Sequence, residues 1–391
     1  MIHYIFEFLK IVFVLAAIAS IFYYILCFWS AAEFLREQKA ADKSVRPTQG
    51  LPSVSILKPL KGADHEMYES FRSHCVQDYP EYEIIFGVSE ADDPARELVQ
   101  RLKQEFPEHA IRMMVCEQKL GANIKVSNLA QMAREAKYDI LVVSDSDIRV
   151  PSDYLRRVVA LLTDSTVGLV TCLYRGVASG TLGSRLEALG ISTDFIPGVL
   201  AARTLERGIR FGLGSTLAFR QQDLQAIGGF ESFTDYLADD YELGKRIAAL
   251  GKEVKISDVV VETLLRRYTM REFLTHQLRW ARTIRDARPW GYAGLGLTFG
   301  LPWALLAVGA ALGASWTWAL LIAVLAMRLG VTFALGWRVL RDRQAITMAP
   351  LLLLRDIIAP LVWIESFVGN TVVWRGERFE LRKGKLTRVE P

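Results

Sequence analysis

The chain has 391 residues, of which 51% are hydrophobic and 23% are charged, and its formal net charge is +4. It is too apolar for an ordinary soluble enzyme and too charged to lie wholly within a membrane. The net charge is too small to indicate a nucleic-acid partner, and the sequence leaves the oligomeric state open. The four cysteines have no CxxC spacing, which excludes a zinc-finger or disulfide framework as the organising principle.

The N-terminal region, residues 1–35, predicts a transmembrane anchor. Residues 11–32 carry no charged side chain, and as a helix this stretch has about the length needed to cross ~30 Å of hydrocarbon. The alternative is a cleaved signal peptide. The apolar run is too long for one, and Glu7 interrupts the region before it. We therefore expect an anchor that stays attached.

A second apolar region covers residues 291–374. Residues 291–327 carry no charge, which leaves room for two crossings if residues 312–315 form a turn. Residues 348–374 are interrupted by Arg355, Asp356 and Glu365. Charges at mid-bilayer are costly unless paired, so we expect a membrane hairpin followed by a re-entrant or interfacial segment.

Basic residues flank both apolar regions, at 36–46 and in a tail over residues 375–391. By the positive-inside rule, both flanks face the cytoplasm. The domain between them, residues 47–290, is then cytoplasmic, and the protein is an integral membrane protein.

Strands and helices alternate through the first part of this domain. We predict strands at residues 54–57, 82–88, 111–116 and 140–143, and helices at residues 68–76, 95–105 and 129–136. Repeated β-α units of this kind form a mostly parallel sheet flanked by helices. Ligands of such α/β sheets bind at the carboxyl ends of the strands.

The most informative motif lies at the carboxyl end of the fourth strand. Asp145 and Asp147 follow a continuous apolar run and are one residue apart. Two carboxylates in one bend can hold a single hard cation, Mg²⁺ or Mn²⁺, which commonly bridges phosphates. A lone Asp-x-Asp is often only a solvated turn, so the motif needs support from its neighbours.

Other polar residues follow the preceding strands. Lys58 lies in the loop after the first strand, Asp92 and Asp93 follow the second, and Lys125 and Asn128 lie in a predicted polar loop after the third. The acids could simply cap a helix, and the loop residues could be solvated. Together they supply what a nucleoside diphosphate needs, namely a carboxylate for uracil or ribose and an ammonium and an amide for the pyrophosphate.

The second half of the domain adds residues suited to chemistry. Residues 212–220 read as a glycine-bearing strand that lets a sugar or an acceptor approach closely. Asp239 and Asp240 lie at the start of a predicted helix. They either cap that helix or supply a general base that takes a proton from an acceptor hydroxyl.

A further motif, His276 to Trp280, lies on an amphipathic stretch just before the second apolar region. Arg279 suits a pyrophosphate leaving group, and Trp280 suits a sugar or lipid face. A basic and aromatic patch at the membrane surface is the alternative reading.

In order and over most of the chain, these motifs resemble those of the membrane-bound ceramide glucosyltransferases, glycosyltransferase family 21. The segments that carry the resemblance are residues 54–62, 92–95, 145–150, 239–241 and 276–280. In that family the first two Asp motifs, here residues 92–95 and 145–150, bind the nucleotide sugar and the metal. The third Asp motif, here residues 239–241, supplies the catalytic base. The last motif, here residues 276–280, contacts the donor phosphates and the acceptor side.

The resemblance implies an α/β GT-A glycosyltransferase domain with N-terminal and C-terminal transmembrane helices. It implies UDP-glucose or UDP-N-acetylglucosamine as donor, Mg²⁺ or Mn²⁺ held by Asp145 and Asp147, and Asp240 with Asp239 as catalytic residues. The residues it assigns to donor binding are Lys58, Asp92, Lys125, Asn128, Asp145, His276, Arg279 and Trp280.

The chain departs from the family pattern at two positions. Asp147 stands where the animal enzymes have glycine, and His276 replaces glutamine or arginine. Residues 282–292 resemble the bacterial branch that glycosylates hopanoid lipids, so the acceptor is either a ceramide or a hopanoid polyol. We accordingly expect the bacterial inner membrane as the location.

Two rival functions remain at this point. A processive polysaccharide synthase would use a similar domain, but it would need more spans to form a polymer channel. A non-catalytic scaffold or sugar-nucleotide sensor would keep only the fold. The joint presence of Asp92, Asp145, Asp147, Asp240 and Arg279 argues against that loss. We therefore expect inverting transfer of a single hexose to a lipid hydroxyl.

Overall fold

The computed structural model describes residues 2–43, 50–64, 66–374 and 376–389. The basic residues Arg46 and Arg375 and the side chain of Lys43, on which the predicted topology partly rests, lie outside the described part. The chain divides into two compact units. The sheet unit comprises Glu37–Ser179, Glu206–Arg266 and Gly384–Pro391, and the helical unit comprises Met1–Arg36, Gly180–Leu205 and Arg267–Lys383.

The regular elements are numbered along the chain. The strands are β1 (Val54–Pro59), β2 (Tyr82–Val88), β3 (Ala110–Val115), β4 (Ile140–Val143), β5 (Ile148–Arg149), β6 (Val167–Val177), β7 (Leu217–Arg220), β8 (Glu253–Leu264), β9 (Thr371–Trp374), β10 (Glu377–Arg382) and β11 (Lys385–Arg388). The helices are α1 (Ile2–Lys43), α2 (Met67–Cys75), α3 (Ala95–Glu105), α4 (Ile124–Arg134), α5 (Tyr154–Leu161), α6 (Leu182–Gly190), α7 (Ile196–Glu206), α8 (Gln221–Ala226), α9 (Asp239–Ala249), α10 (Met270–Ala287), α11 (Pro289–Gly294), α12 (Gly300–Ala310), α13 (Ser315–Val331), α14 (Arg343–Thr347) and α15 (Leu352–Ser366).

The sheet unit is built on an eight-stranded sheet in the order β3-β2-β1-β4-β7-β6-β8-β5. Its first four strands are parallel, with Ile56 opposite Ile84 on one side and Val142 on the other. β1 and β4 are buried along their whole length, as expected for strands covered on both faces. The carboxyl ends of β1, β2 and β4 therefore meet at one edge, and the predicted mostly parallel sheet flanked by helices is confirmed.

Two local predictions in this unit were wrong. Helix α4 begins at Ile124 instead of residue 129, because the Asn123 side chain caps it by accepting a hydrogen bond from Val126 N at 3.2 Å. Lys125 and Asn128 therefore lie on a helix and not in a loop. The predicted strand over residues 212–220 is shortened to β7, because a tight bridge pairs Leu213 with Thr216.

The helical unit contains two helices long and apolar enough to cross a membrane within the described residues, Tyr4–Asp42 and Ser315–Val339. A third candidate is a pair bent by 54°, Pro289–Thr298 followed by Gly300–Ala310. Leu312 and Gly313, in the segment predicted to turn, both have positive φ, at 49° and 77°. The apolar composition did not indicate the bend between Thr298 and Gly300.

A buried ion network ties the helical unit together. The Arg328 guanidinium of α13 lies 2.6 Å from Asp194 Oδ1 and 2.7 Å from Asp356 Oδ1, while Arg355 Nε lies 2.8 Å from Asp194 Oδ2. The two cations and two anions balance, which lets these charges remain inside an apolar unit. Arg355 and Asp356, which interrupt the apolar run, are thus each paired, Arg355 with Asp194 and Asp356 with Arg328.

Candidate active site

The Asp-x-Asp turn follows β4 and is supported from beneath by Lys58. The Lys58 ammonium donates to the Asp145 carbonyl at 2.9 Å and to Ser144 Oγ at 3.2 Å. Burial lowers the pKa of Lys58 to about 7, although the Asp147 and Asp145 carboxylates oppose this shift. Lys58 has no exposed surface and holds the turn in place, and the donor-binding role that the resemblance assigns to it remains a prediction.

Asp147 is held from the other side of the turn. Thr263 on β8 donates a hydrogen bond to Asp147 Oδ2 at 2.7 Å, and Leu264 N donates to the Asp147 carbonyl at 2.9 Å. Burial and then the neighbouring Asp145 raise the pKa of the Asp147 carboxyl above its usual value. No sequence pattern indicated Thr263, since its contact with the motif depends on β8 reaching this part of the sheet.

Lys125 joins the second and third Asp motifs. Its ammonium lies 2.7 Å from Asp145 Oδ1 and 2.9 Å from Asp239 Oδ2, the latter a charge contact without the alignment of a hydrogen bond. Burial acts to lower the pKa of Lys125, but these two carboxylates raise it well above its ordinary value. Lys125 therefore remains an ammonium ion and fixes the two acids relative to each other.

Asp240 is the second acid of the third motif. Its Oδ1 accepts a hydrogen bond from Tyr241 N at 2.8 Å, and its carbonyl accepts one from Gly212 N at 3.1 Å. Burial, and next the adjacent Asp239, raise the pKa of Asp240 to about 6, against the opposing effect of Lys125. The N-cap residue of α9, Ala238, makes no side-chain cap hydrogen bond, and Asp240 satisfies one backbone N–H of the first turn.

Gly214 marks the gap between two of these acids. A Cβ atom at this position would lie 3.2 Å from Asp145 Oδ2 and 3.3 Å from Asp240 Oδ2. The absence of a side chain leaves both carboxylate oxygens facing the same small space. Within residues 212–220, the position that lies against these acids is Gly214, which the sequence pattern alone did not single out.

The donor-binding roles predicted for Asp92 and Asn128 remain predictions, and the structure shows what surrounds these residues. The Asp93 carboxylate accepts hydrogen bonds from Gly62 N at 3.0 Å and from Ala95 N at 2.9 Å, so it fixes the loop and the start of α3. Asp92 is exposed beside it. Asn128 is 2% exposed, and its amide oxygen accepts a hydrogen bond from Ser89 Oγ at 3.1 Å.

The His276 to Trp280 motif lies on α10 in the helical unit. His276 Nδ1 is 2.9 Å from Glu187 Oε1, and the ring of Trp280 is 5.7 Å from that of Phe195. Arg279 is half-buried on the same helix. The donor-binding roles that the resemblance assigns to His276, Arg279 and Trp280 remain predictions.

The carboxylates suit a hard cation only if a ligand completes its coordination. Within the described residues, no three His, Cys, Asp or Glu side chains are grouped to hold a metal. Lys125 contacts Oδ1 of Asp145 and Thr263 contacts Oδ2 of Asp147, while Oδ2 of Asp145 faces the space beside Gly214. Mg²⁺ typically takes one or two carboxylates and obtains its other ligands from phosphates and water, and this donor set fits that pattern.

A mannosyltransferase of known structure from Pyrobaculum calidifontis, solved in complex with GDP-Man and Mn2+, is similar in fold. The TM-score is 0.50 at 18% identity, over 90% of this chain and 99% of that chain. The sheet unit therefore has the GT-A type of fold, and the described residues include helices long and apolar enough to span a membrane.

The sequence comparisons give the family. The model of glycosyl transferase family 21 matches residues 12–387, and the chain belongs to this family. Ceramide glucosyltransferases 3 and 1 of Caenorhabditis elegans are 25% and 24% identical, over 87% and 88% of this chain and 75% of each relative. The ceramide glucosyltransferase of Komagataella phaffii is 34% identical over 39% of this chain and 31% of its own length.

Proposed function

We propose that this enzyme transfers a single glucose or N-acetylglucosamine from a UDP-sugar to a hydroxyl of a membrane lipid, a ceramide or a hopanoid polyol, with inversion. The observation that carries the proposal is the pair of carboxylates, Asp145 and Asp240, that face one space at Gly214. One belongs to the predicted metal motif and the other is free to act as a base. The similarity to ceramide glucosyltransferases supports a lipid acceptor.

The charge of the site favours a divalent cation with a diphosphate. Four carboxylates and two ammonium groups lie in it, and these are Asp145, Asp147, Asp239, Asp240, Lys58 and Lys125. With all six ionised, two negative charges are in excess, 4 − 2 = 2. Asp145 and Asp147 would hold the Mg²⁺ or Mn²⁺, and that cation stabilises negative charge on the leaving diphosphate.

Asp240 is better suited than Asp239 to be the base. Asp239 is 8% exposed and paired with Lys125, so its carboxylate is already committed. Asp240 is half-buried, and its pKa is raised to about 6 by burial and by Asp239. A pKa near the working pH makes a carboxylate a more effective proton acceptor. Asp239 acts through Lys125 and is a positioning residue.

The raised pKa predicts a specific dependence of activity on pH. A base must be unprotonated to accept the hydroxyl proton, so kcat/KM should fall as the pH decreases through about 6. An ordinary aspartate, with a pKa of about 3.9, would keep the enzyme active two pH units lower. Initial rates measured from about pH 4.5 to about pH 8 test this pH dependence. A constant rate down to pH 5 would rule out Asp240, with its raised pKa, as the base.

The resemblance also gives Arg279 and Trp280 a part in holding donor phosphates and acceptor. His276 differs from the family residue at its position, and its contact with Glu187 gives that histidine a partner inside the helical unit. We propose that Arg279 and Trp280 carry this role and that His276 mainly orients α10.

The topology follows from which segments belong to the sheet unit. The chain leaves this unit at Arg266 and re-enters it at Gly384, so it crosses the membrane an even number of times between them. We take Ser315–Val339 as one crossing and the bent pair, Pro289–Thr298 with Gly300–Ala310, as the other, since the 15-residue α15 is shorter than a typical span. This arithmetic supports a re-entrant or interfacial α15. By the positive-inside rule, the sheet unit faces the cytoplasm.

Labelling of single cysteines in intact cells tests this topology. The four native cysteines are buried, so the background is low. Leu312→Cys, in the exposed turn between α12 and α13, should react with an impermeant thiol reagent added outside. Thr387→Cys on β11 should react only after the cells are opened. External labelling of Thr387→Cys would overturn the cytoplasmic assignment.

The reaction itself is tested by UDP release from the detergent-solubilised enzyme with a UDP-sugar and Mn²⁺. Release that depends on an added lipid acceptor, with one sugar added per lipid, is the expected result. A scaffold would release no UDP, and a processive synthase would give long products without a lipid.

A further inference from the structure

The C-terminal strand β11 belongs to the sheet unit and not to a free tail. Lys385 forms an antiparallel bridge with Tyr236, which lies three residues before Asp239. Leu237 N donates to the Gly384 carbonyl at 3.0 Å, and Leu386 N donates to the Asp235 carbonyl at 2.7 Å. The last residues of the chain thus pair with the segment that leads into the third Asp motif.

Side chains reinforce this pairing. Leu386 is 4% exposed and Leu237 is 6% exposed, so both are buried at the contact. The Lys385 ammonium lies 5.5 Å from the centroid of the Tyr236 ring, within the range of a cation–π interaction. β11 is therefore attached by backbone hydrogen bonds, apolar burial and a charge–ring contact.

The opposite side of the same segment is held by the loop before α4. Ala122 N donates to Asp235 Oδ1 at 2.9 Å, and the Asn123 amide donates to the Tyr236 carbonyl at 2.7 Å. Two residues further on, Lys125 pairs with Asp239 and Asp145. The segment 234–237 is thus fixed between two partners, one of which also carries the lysine that links the acids.

We propose that residues 384–388 are positioning residues for the active site, because they clamp segment 234–237 and so position Asp239 and Asp240. This inference rests on the proposed role of Asp240 as the base. Without β11, the segment loses two backbone hydrogen bonds and the Lys385 contact, and it keeps its contacts with residues 120, 122, 123 and 246. The carboxylate of Asp240 then loses its fixed distance from the acceptor hydroxyl. Small displacements of a reacting group are costly to rate, on the order of 100-fold for 1 Å.

Gly384 offers a selective way to open this clamp. It has φ = 79°, and a Cβ atom there would lie 2.9 Å from Tyr236 Cδ1. Gly376, in the turn before β10, has a similar φ of 85°, but a Cβ atom there would meet nothing within 4 Å. Gly376→Ala therefore shares the backbone strain of Gly384→Ala without the collision with Tyr236.

The experiment compares the full-length Gly384→Ala and Gly376→Ala enzymes, together with a chain ending at Lys383. Steady-state kinetics with a UDP-sugar and a lipid acceptor give kcat and KM, and amide hydrogen exchange follows residues 234–241. We expect Gly384→Ala and the shortened chain to lower kcat by about tenfold or more. KM for the UDP-sugar should stay within about twofold, and exchange at residues 234–241 should become faster. Gly376→Ala should match wild type.

Two results would overturn the clamp. One is a kcat for Gly384→Ala equal to that of Gly376→Ala. The other is a shortened chain that folds and keeps the wild-type kcat. If the shortened chain does not fold, the two glycine variants decide. Failure of the proposed function is distinct, since wild type would then release no UDP with any lipid acceptor.

Discussion

Asp240→Asn should bind the UDP-sugar normally and lose transfer. An amide cannot accept the proton of the acceptor hydroxyl, and general base catalysis is typically worth about 10²- to 10⁴-fold in rate. The substitution keeps the shape of the side chain, including an oxygen that can accept the hydrogen bond from Tyr241 N. Single-turnover kinetics for transfer, with calorimetry for donor affinity, separate the two effects.

Asp239→Asn is the matched control for this variant. It removes the charge that pairs with Lys125, so it should disturb donor binding as well as rate, since Lys125 also fixes Asp145. An Asp240→Asn enzyme that loses donor affinity as strongly as it loses rate would place Asp240 in the donor site. Transfer at the wild-type rate would exclude it as the base.

Asp145→Ala should abolish turnover. The change removes one of the two predicted metal ligands and leaves Lys125 with Asp239 as its remaining ion-pair partner from these motifs. Without the cation, the diphosphate must leave with its charge unsupported. Asp147→Ala should have a smaller effect, because Thr263 already holds one oxygen of Asp147. The assay is UDP release while Mn²⁺ is titrated into EDTA-treated enzyme.

Asp78→Ala controls for the loss of any carboxylate from the sheet unit. Asp78 is well exposed and paired with Arg156, apart from the acidic motifs in sequence. This variant should keep the wild-type rate and the wild-type response to Mn²⁺. Full activity of Asp145→Ala in EDTA would contradict the metal-dependent mechanism.

The strands and helices of the sheet were readable because their signals are local. The predicted boundaries 82–88, 95–105 and 140–143 coincide with β2, α3 and β4. Each begins or ends where an apolar run meets turn or capping residues. The start of α4 was missed because Gly121 and Asn123 read as loop residues, whereas Asn123 caps the helix and Thr234 packs tightly against Gly121.

Long-range contacts explain what the sequence could not show. The predicted basic tail contains β10 and β11, and the partner of Lys385 is Tyr236, far away along the chain. Leu386 is buried although several residues around it in the sequence are charged, so its burial could not be predicted. The bend at residue 299 is likewise invisible in a composition that is apolar on both sides.

The candidate site was partly predictable for the same reason. The edge of the sheet brings Lys125, Asp145 and Asp239 together, as the order of the motifs indicates. Lys58 and Asn128 were assigned to the donor, yet both side chains are buried and bonded within the protein. Residue type predicts which chemistry is available, while the direction of a side chain depends on neighbours from other elements.

The central claim is transfer of one hexose to a membrane lipid. Mass spectrometry of lipids formed by the purified enzyme tests it most directly. UDP-glucose or UDP-N-acetylglucosamine would be combined in turn with a ceramide or a hopanoid polyol, with Asp240→Asn as the control. We expect one donor–acceptor pair whose lipid gains the mass of a single hexose or N-acetylhexosamine, and no product from Asp240→Asn. Polymeric products, or no glycosylated lipid from any pair, would contradict it.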